Sequence, residues 1–165
     1  MTVITTVPTR IIIAGLCSQI SGVVTSFTQI PRMVQDAQLP AMIVLPGPAT
    51  YDIQAESSQM VLETRIYQLV LLVQNAAFGT SGDLELQCDP FFKSVRDFFL
   101  ARPGLEELDT QGVPKIPAVL NAKLLGDNGL NIGSFPFQGG ADSPDYVQII
   151  WRLQVQEIAP VTFAD

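Results

Sequence analysis

The chain has 165 residues, enough for one domain that buries roughly 70% of the surface its unfolded form would expose. Hydrophobic residues make up 47% of it and charged residues only 15%, with a mean hydropathy of +0.31; an ordinary soluble domain carries roughly 25% charge, so the apolar surplus needs a membrane or other subunits to cover it. Nine Lys and Arg against sixteen Asp and Glu leave a net charge of −7, which excludes a grip on nucleic acid by counterion release and suits either a wall that DNA slides past or a surface that is merely kept soluble.

After a Thr-rich lead ending at Pro8, the residues Ile13, Leu16, Ile20, Val23 or Val24, Phe27 and Ile30 recur at three- and four-residue spacing. The pattern predicts an amphipathic helix of about five turns that Pro31 ends. Its other face carries hydroxyls and glutamines, and Gly15, Gly22 and the β-branched residues weaken its propensity, so packing must hold it. The apolar run Ile11–Cys17 falls far short of the roughly 20 residues a bilayer span requires. Leu16 before Cys17, with Arg10 as the one upstream cation, does not fit a lipoprotein signal. Subunit contact is therefore the expected outlet for the apolar surplus.

Residues 39–46 form a short apolar run with prolines near both ends, predicting a first strand. The link from Pro46 to Gln59 holds Gly47-Pro48, Asp52 and Glu56 and reads as an extended hairpin connection. Residues 64–74 alternate at first and then become continuously apolar, which predicts a second strand buried on one face early and on both faces later. A polar loop over 75–82 follows. Leu84, Cys88, Phe91, Phe92, Val95, Phe98 and Phe99 then mark a helix able to cover that sheet, starting either after an Asp83 cap or near Cys88-Asp89, where Pro90 suits a first turn. Ala101-Arg102-Pro103-Gly104 stops it. Strands are predicted at 118–125 and 146–156; in the latter Trp151, Leu153 and Val155 face one way and Arg152, Gln154 and Gln156 the other. Between them lies a long Gly-rich stretch, 126–144, containing Phe135-Pro136-Phe137. The fold expected is α+β: one domain over 1–165, with a largely antiparallel sheet of four strands or slightly more and two main helices on one face.

The chain contains no histidine, which removes the usual general base, the usual zinc ligand and every Ser-His or Cys-His nucleophile pair. Asp52 with Glu56, or Glu106 with Glu107, are carboxylate pairs that read as solvated charges. Gly126, Gly129 and Gly133 match neither a phosphate-binding loop nor a dinucleotide turn, and Asp127-Asn128-Gly129 reads as a turn. Cys17 and Cys88 sit in apolar patterns and read as free, buried and inert, a use of cysteine that suits a reducing compartment such as the cytosol. No catalytic residue, cofactor or metal site is predicted. Phe91, Phe92, Phe98 and Phe99 read as core. Phe135 and Phe137 have no periodic partner, so they anchor either a partner or their own loop.

The segments LPAMIVLPGPATYD (39–52), TRIYQLVLLVQN (64–75), DPFFKSVRDFFLARPGLEEL (89–108) and YVQIIWRLQVQE (146–157), with the order of elements, resemble the tail terminator proteins of long-tailed bacteriophages, also called tail-completion or tail-to-head joining proteins. The resemblance covers roughly residues 10–157 and rests on a pattern of elements. It implies a virion protein assembled in the host cytoplasm: a small subunit that forms a homohexameric ring on the head-proximal end of the tail tube, stops its polymerisation and offers the head its docking surface. The implied partners are further copies of the chain, the tail tube protein and a head-completion or connector protein, with DNA passing through the ring. No membrane, cofactor or enzymatic activity is implied. On this reading some of Asp52, Glu56, Asp83, Glu85, Glu106 and Glu107 line the channel, and Phe135, Phe137 and Tyr51 meet a partner, the first two from a projecting arm at 126–144. That stretch has no counterpart in the resemblance, which leaves another neck or tail ring protein open, a head-completion or tail tube subunit. A small cytosolic enzyme and a monomeric binding module are more distant alternatives.

Overall fold

The computed structural model describes residues 8–53, 60–76, 84–105, 119–138 and 144–160. Helix α1 (Thr9–Cys17) is followed by strand β1 (Thr25–Phe27), a short 3-10 turn (Asp36–Gln38), β2 (Ala41–Ile53), β3 (Met60–Asn75), helix α2 (Leu84–Leu100), β4 (Val119–Asp127), β5 (Asn131–Ser134) and β6 (Asp145–Pro160). The strands form one mixed six-stranded sheet in the order β1-β2-β3-β6-β4, with β5 also pairing to β6. Among the described strands only the β1–β2 pair is parallel. The α+β fold expected from the sequence is present, with two more strands than the four read there.

The continuous apolar run of β3 explains the architecture. Tyr67, Leu69, Leu71 and Val73 point to one side, where they meet Met42 and Val44 of β2, Val147 to Val155 at alternate positions of β6, and both helices through Ile13, Leu16, Cys88, Phe91, Val95 and Phe99. Val70 and Leu72 point to the other side and join a second core of Ala41, Ile43, Val34, Phe135, Phe137 and Tyr146. The register makes this inevitable: Leu69 stands between Val44 and Trp151, and Val70 between Ile43 and Ile150. Each such side chain taken out of water contributes about 1.5–3 kcal/mol. Both helices thus lie on one face, while among the described residues the second face is covered by non-helical segments at one end only.

The first helix is shorter than the periodicity predicts. It ends at Cys17, where the Ser18 hydroxyl donates to the Gly15 carbonyl at 2.6 Å, and the chain turns at Gly22 with φ +92°. Ile20 stays in the helix-side core, so the apolar spacing continues across a turn. Val23, Val24 and Thr25 are β-branched and disfavour helix, and Thr25–Phe27 instead pairs with Ala41–Ile43. The second helix begins at Leu84, so Pro90 is interior and the earlier of the two expected starts holds.

The Gly-rich stretch is not a projecting arm in its described part. Gly126 takes a bulge position opposite Arg152, Asp127 Oδ1 accepts from the Gly129 amide at 2.9 Å, and Asn128 exchanges hydrogen bonds with Ile150 at 3.0 and 2.9 Å. Residues 131–134 then pair with β6. Backbone hydrogen bonds at roughly 0.5–1.5 kcal/mol each, together with two buried rings, offset the ordering cost of the glycines.

Candidate functional site

Phe135 and Phe137 are 3% and 8% exposed. Their rings lie 5.0 Å apart, Phe137 meets Tyr146 edge-on at 5.9 Å, and the Gln138 amide donates to the Pro31 carbonyl at 3.1 Å. The expectation that these rings anchor a partner is therefore corrected: they fold back as core of their own subunit, because β5 delivers them onto the second sheet face.

Tyr51 remains on the surface at 64% exposure. It stands on the outer half of β2, which pairs with β3, itself held on its other side by β6. Arg65 ties β3 to this part of β2, donating from Nε to Glu63 at 2.7 Å, from Nη1 to the Gly47 carbonyl at 2.9 Å and from Nη2 to the Tyr51 hydroxyl at 3.1 Å. The Glu63 hydrogen bond raises the Arg65 pKa and keeps its charge in place. Asp52 is exposed and in register with Leu62, which sets it on the sheet face away from the helices. Glu85 is exposed in the first turn of α2, which covers the opposite face. The structure therefore does not bring these two acids together. Glu56, Asp83, Glu106 and Glu107 lie outside the described residues.

The surface that stands out is the half of the second sheet face left uncovered by the described residues. Leu62, Thr64, Ile66 and Gln68 of β3 lie opposite Ile158, Gln156, Gln154 and Arg152 of β6, and Asn121 and Lys123 of β4 extend the row. None of these belongs to either core. Leu62, Ile66 and Ile158 are half-buried, whereas Gln68, Arg152, Asn121 and Lys123 are exposed. Among the described residues Arg152 and Lys123 form no ion pair; the two pairs there are Arg65–Glu63 and Arg96–Asp97. The alternation of β6 already signalled half of this face in the sequence. Its β4 part was hidden by bulges between Val119 and Asn121 and between Leu124 and Gly126, which shift the side-chain parity.

An open groove of about 890 Å³ lies at the other end of the sheet, lined by Arg32, Met33, Asp36, Asn75, Gln138 and Tyr146 among others. It brings together one carboxylate, one guanidinium and a phenol whose pKa burial raises, which is no proton-transfer pair. Burial pushes the Cys17 thiol up to about 12 and raises Cys88 too, so neither supplies a thiolate near neutrality. Among the described residues no cluster of three or more His, Cys, Asp or Glu can hold a metal, and no helix is long and apolar enough to cross a membrane. In comparisons with known proteins, no family model and no curated protein matches the sequence.

Proposed function

We propose that the chain is a structural protein of a phage virion, a tail terminator that forms a ring on the head-proximal end of the tail tube. The observation that carries this reading is the one-sided sheet. Helices cover one face, and half of the other carries apolar side chains and unpaired cations with no cover among the described residues. In a chain with 15% charged residues and positive mean hydropathy, such a face is matched to protein contact. The sequence resemblance supplies the assembly: a ring, most simply of six copies, contacting the tail tube protein on one side and a head-completion or connector protein on the other. The role is architectural, without catalysis or cofactor, and the protein acts in the virion neck. DNA crosses the ring along a polar to acidic bore.

Imaging tests the reading. Particles made without this chain should carry overlong or unjoined tails, and intact particles should show one symmetric ring of it at the neck. Tails of normal length joined to heads in its absence, or a single copy per particle, would overturn the proposal. Long tubes formed by the purified chain alone would make it a tail tube subunit instead.

A further inference from the structure

We infer that the uncovered half of the sheet docks onto helix α2 of a second copy of this chain, in a head-to-tail contact. The inference rests on the ring reading and names the contact that builds the ring. Among the described residues Arg152 and Lys123 form no ion pair and give this face two positive charges among amides and hydroxyls, with Asp52 at its β2 side, in a chain of net charge −7. On the helix side, the first two turns of α2 present Glu85 and Asp89 on the surface, with Leu86 between them 68% exposed. The rest of the exposed helix surface is nearly balanced, with Lys93 beside the Arg96–Asp97 pair. The acidic, leucine-bearing turn therefore complements the basic, apolar-centred face in both charge and polarity.

Geometry forbids the same contact within one chain. Cys88, Phe91, Val95 and Phe99 seat α2 on the helix-side core, so its outward surface points away from the far side of its own sheet. A symmetric pairing of two uncovered faces would set Arg152 and Lys123 against their own copies, and like charges placed together at an interface are repulsive. The head-to-tail alternative uses two different patches and closes into a ring when the rotation permits. Use of the same face as the DNA wall is disfavoured, because two unpaired cations hold phosphates rather than let them slide. The contact also takes Glu85 out of the channel-lining set, and Asp52, in register with Leu62 on the docking side of the sheet, leaves it too.

Charge reversal tests this. One variant carries Arg152→Glu with Lys123→Glu, the other Glu85→Lys with Asp89→Lys, and self-association is measured by sedimentation over a concentration series at low salt. Each variant alone should associate roughly tenfold more weakly or worse than the native chain. An equimolar mixture of the two should recover association, because the acidic face of one meets the basic helix of the other, and a chain carrying all four changes should recover it too. If a reversal lowers the thermal midpoint, the glutamine variants at the same four positions give the same comparison without new charge. A native chain that stays monomeric throughout, association indifferent to the reversals, or a mixture that fails to recover overturns the inference. Association that ignores the reversals leaves the ring reading standing, whereas particles lacking a neck ring remove that reading whatever the contact does.

Discussion

Gly22 packs directly against the ring of Phe91: a β-carbon on Gly22 would lie 2.9 Å from Phe91 Cε1, and the backbone there has φ +92°. The turn that ends the α1 region and the helix that covers the sheet are thus locked through a position that only glycine fills without strain. Gly22→Ala should lower stability by about 2–4 kcal/mol, combining the left-handed backbone cost with overpacking against the ring. Thermal unfolding checks it, with a midpoint fall of roughly 5–15 °C expected for a chain of this size. An unchanged midpoint would mean that the turn relaxes without disturbing Phe91.

Phe135→Ser with Phe137→Ser should strongly destabilise the isolated subunit. Both rings belong to the second core with Val70, Leu72 and Tyr146, and removing one buried phenylalanine costs about 3–5 kcal/mol. Denaturant unfolding of the purified chain is the measurement. Unaltered stability with lost assembly would restore the projecting-arm reading that the burial of these rings now opposes.

Alkaline pH should unfold the protein more readily than neutral pH. Burial raises the Cys17 thiol from 9.0 to about 12 in the folded chain. Its contribution is therefore fully present below pH 9 and is lost as pH rises towards 12, because the unfolded chain releases a proton that the folded chain holds. Within that window each retained proton changes stability by about 1.4 kcal/mol per pH unit. Tyr67, raised to about 12 chiefly by burial, acts in the same direction above pH 10. Cys17→Ala should flatten the pH dependence between pH 9 and 10 while leaving the Tyr67 part. A slope identical to that of the native chain would remove Cys17 as its source.

Much of the sheet was legible in the sequence because its signals are local. The apolar run of β3 and the alternation of Trp151, Leu153 and Val155 against Arg152, Gln154 and Gln156 fix which residues share a face. Other elements depend on partners distant in sequence. β1 is three residues long and β5 four, too short for any period, and each exists because β2 or β6 presents an open edge. The overlong first helix has the same origin, since Ile20 and Val23 keep a helical spacing while packing from a turn. Of the candidate site, the Arg152 row was visible and the helix partner was not, because complementarity between two faces of different copies leaves no periodic trace.

The outer half of β2 pairs with β3 through a bulge, while β3 is held on its other side by β6. Gly47 sits at the bulge between Pro46 and Ala49, against the Ile66 carbonyl oxygen, and a β-carbon at Gly47 would collide with that oxygen. Its own carbonyl accepts the Arg65 guanidinium at 2.9 Å. Neither Gly47 nor Ile66 belongs to a core cluster, so Gly47→Ala should disturb the outer half of β2 more than the rest of the sheet. The expected cost is about 1–3 kcal/mol, concentrated in faster amide exchange over residues 49–53 of β2, with protection at Leu69 to Leu72 retained. Because this part of β2 flanks Leu62 and Ile66 on the uncovered face, self-association should weaken beyond what this loss of stability explains. Uniform loss of protection across the whole sheet would show instead that the bulge is part of the cooperative core and that the outer half of β2 has no independent give.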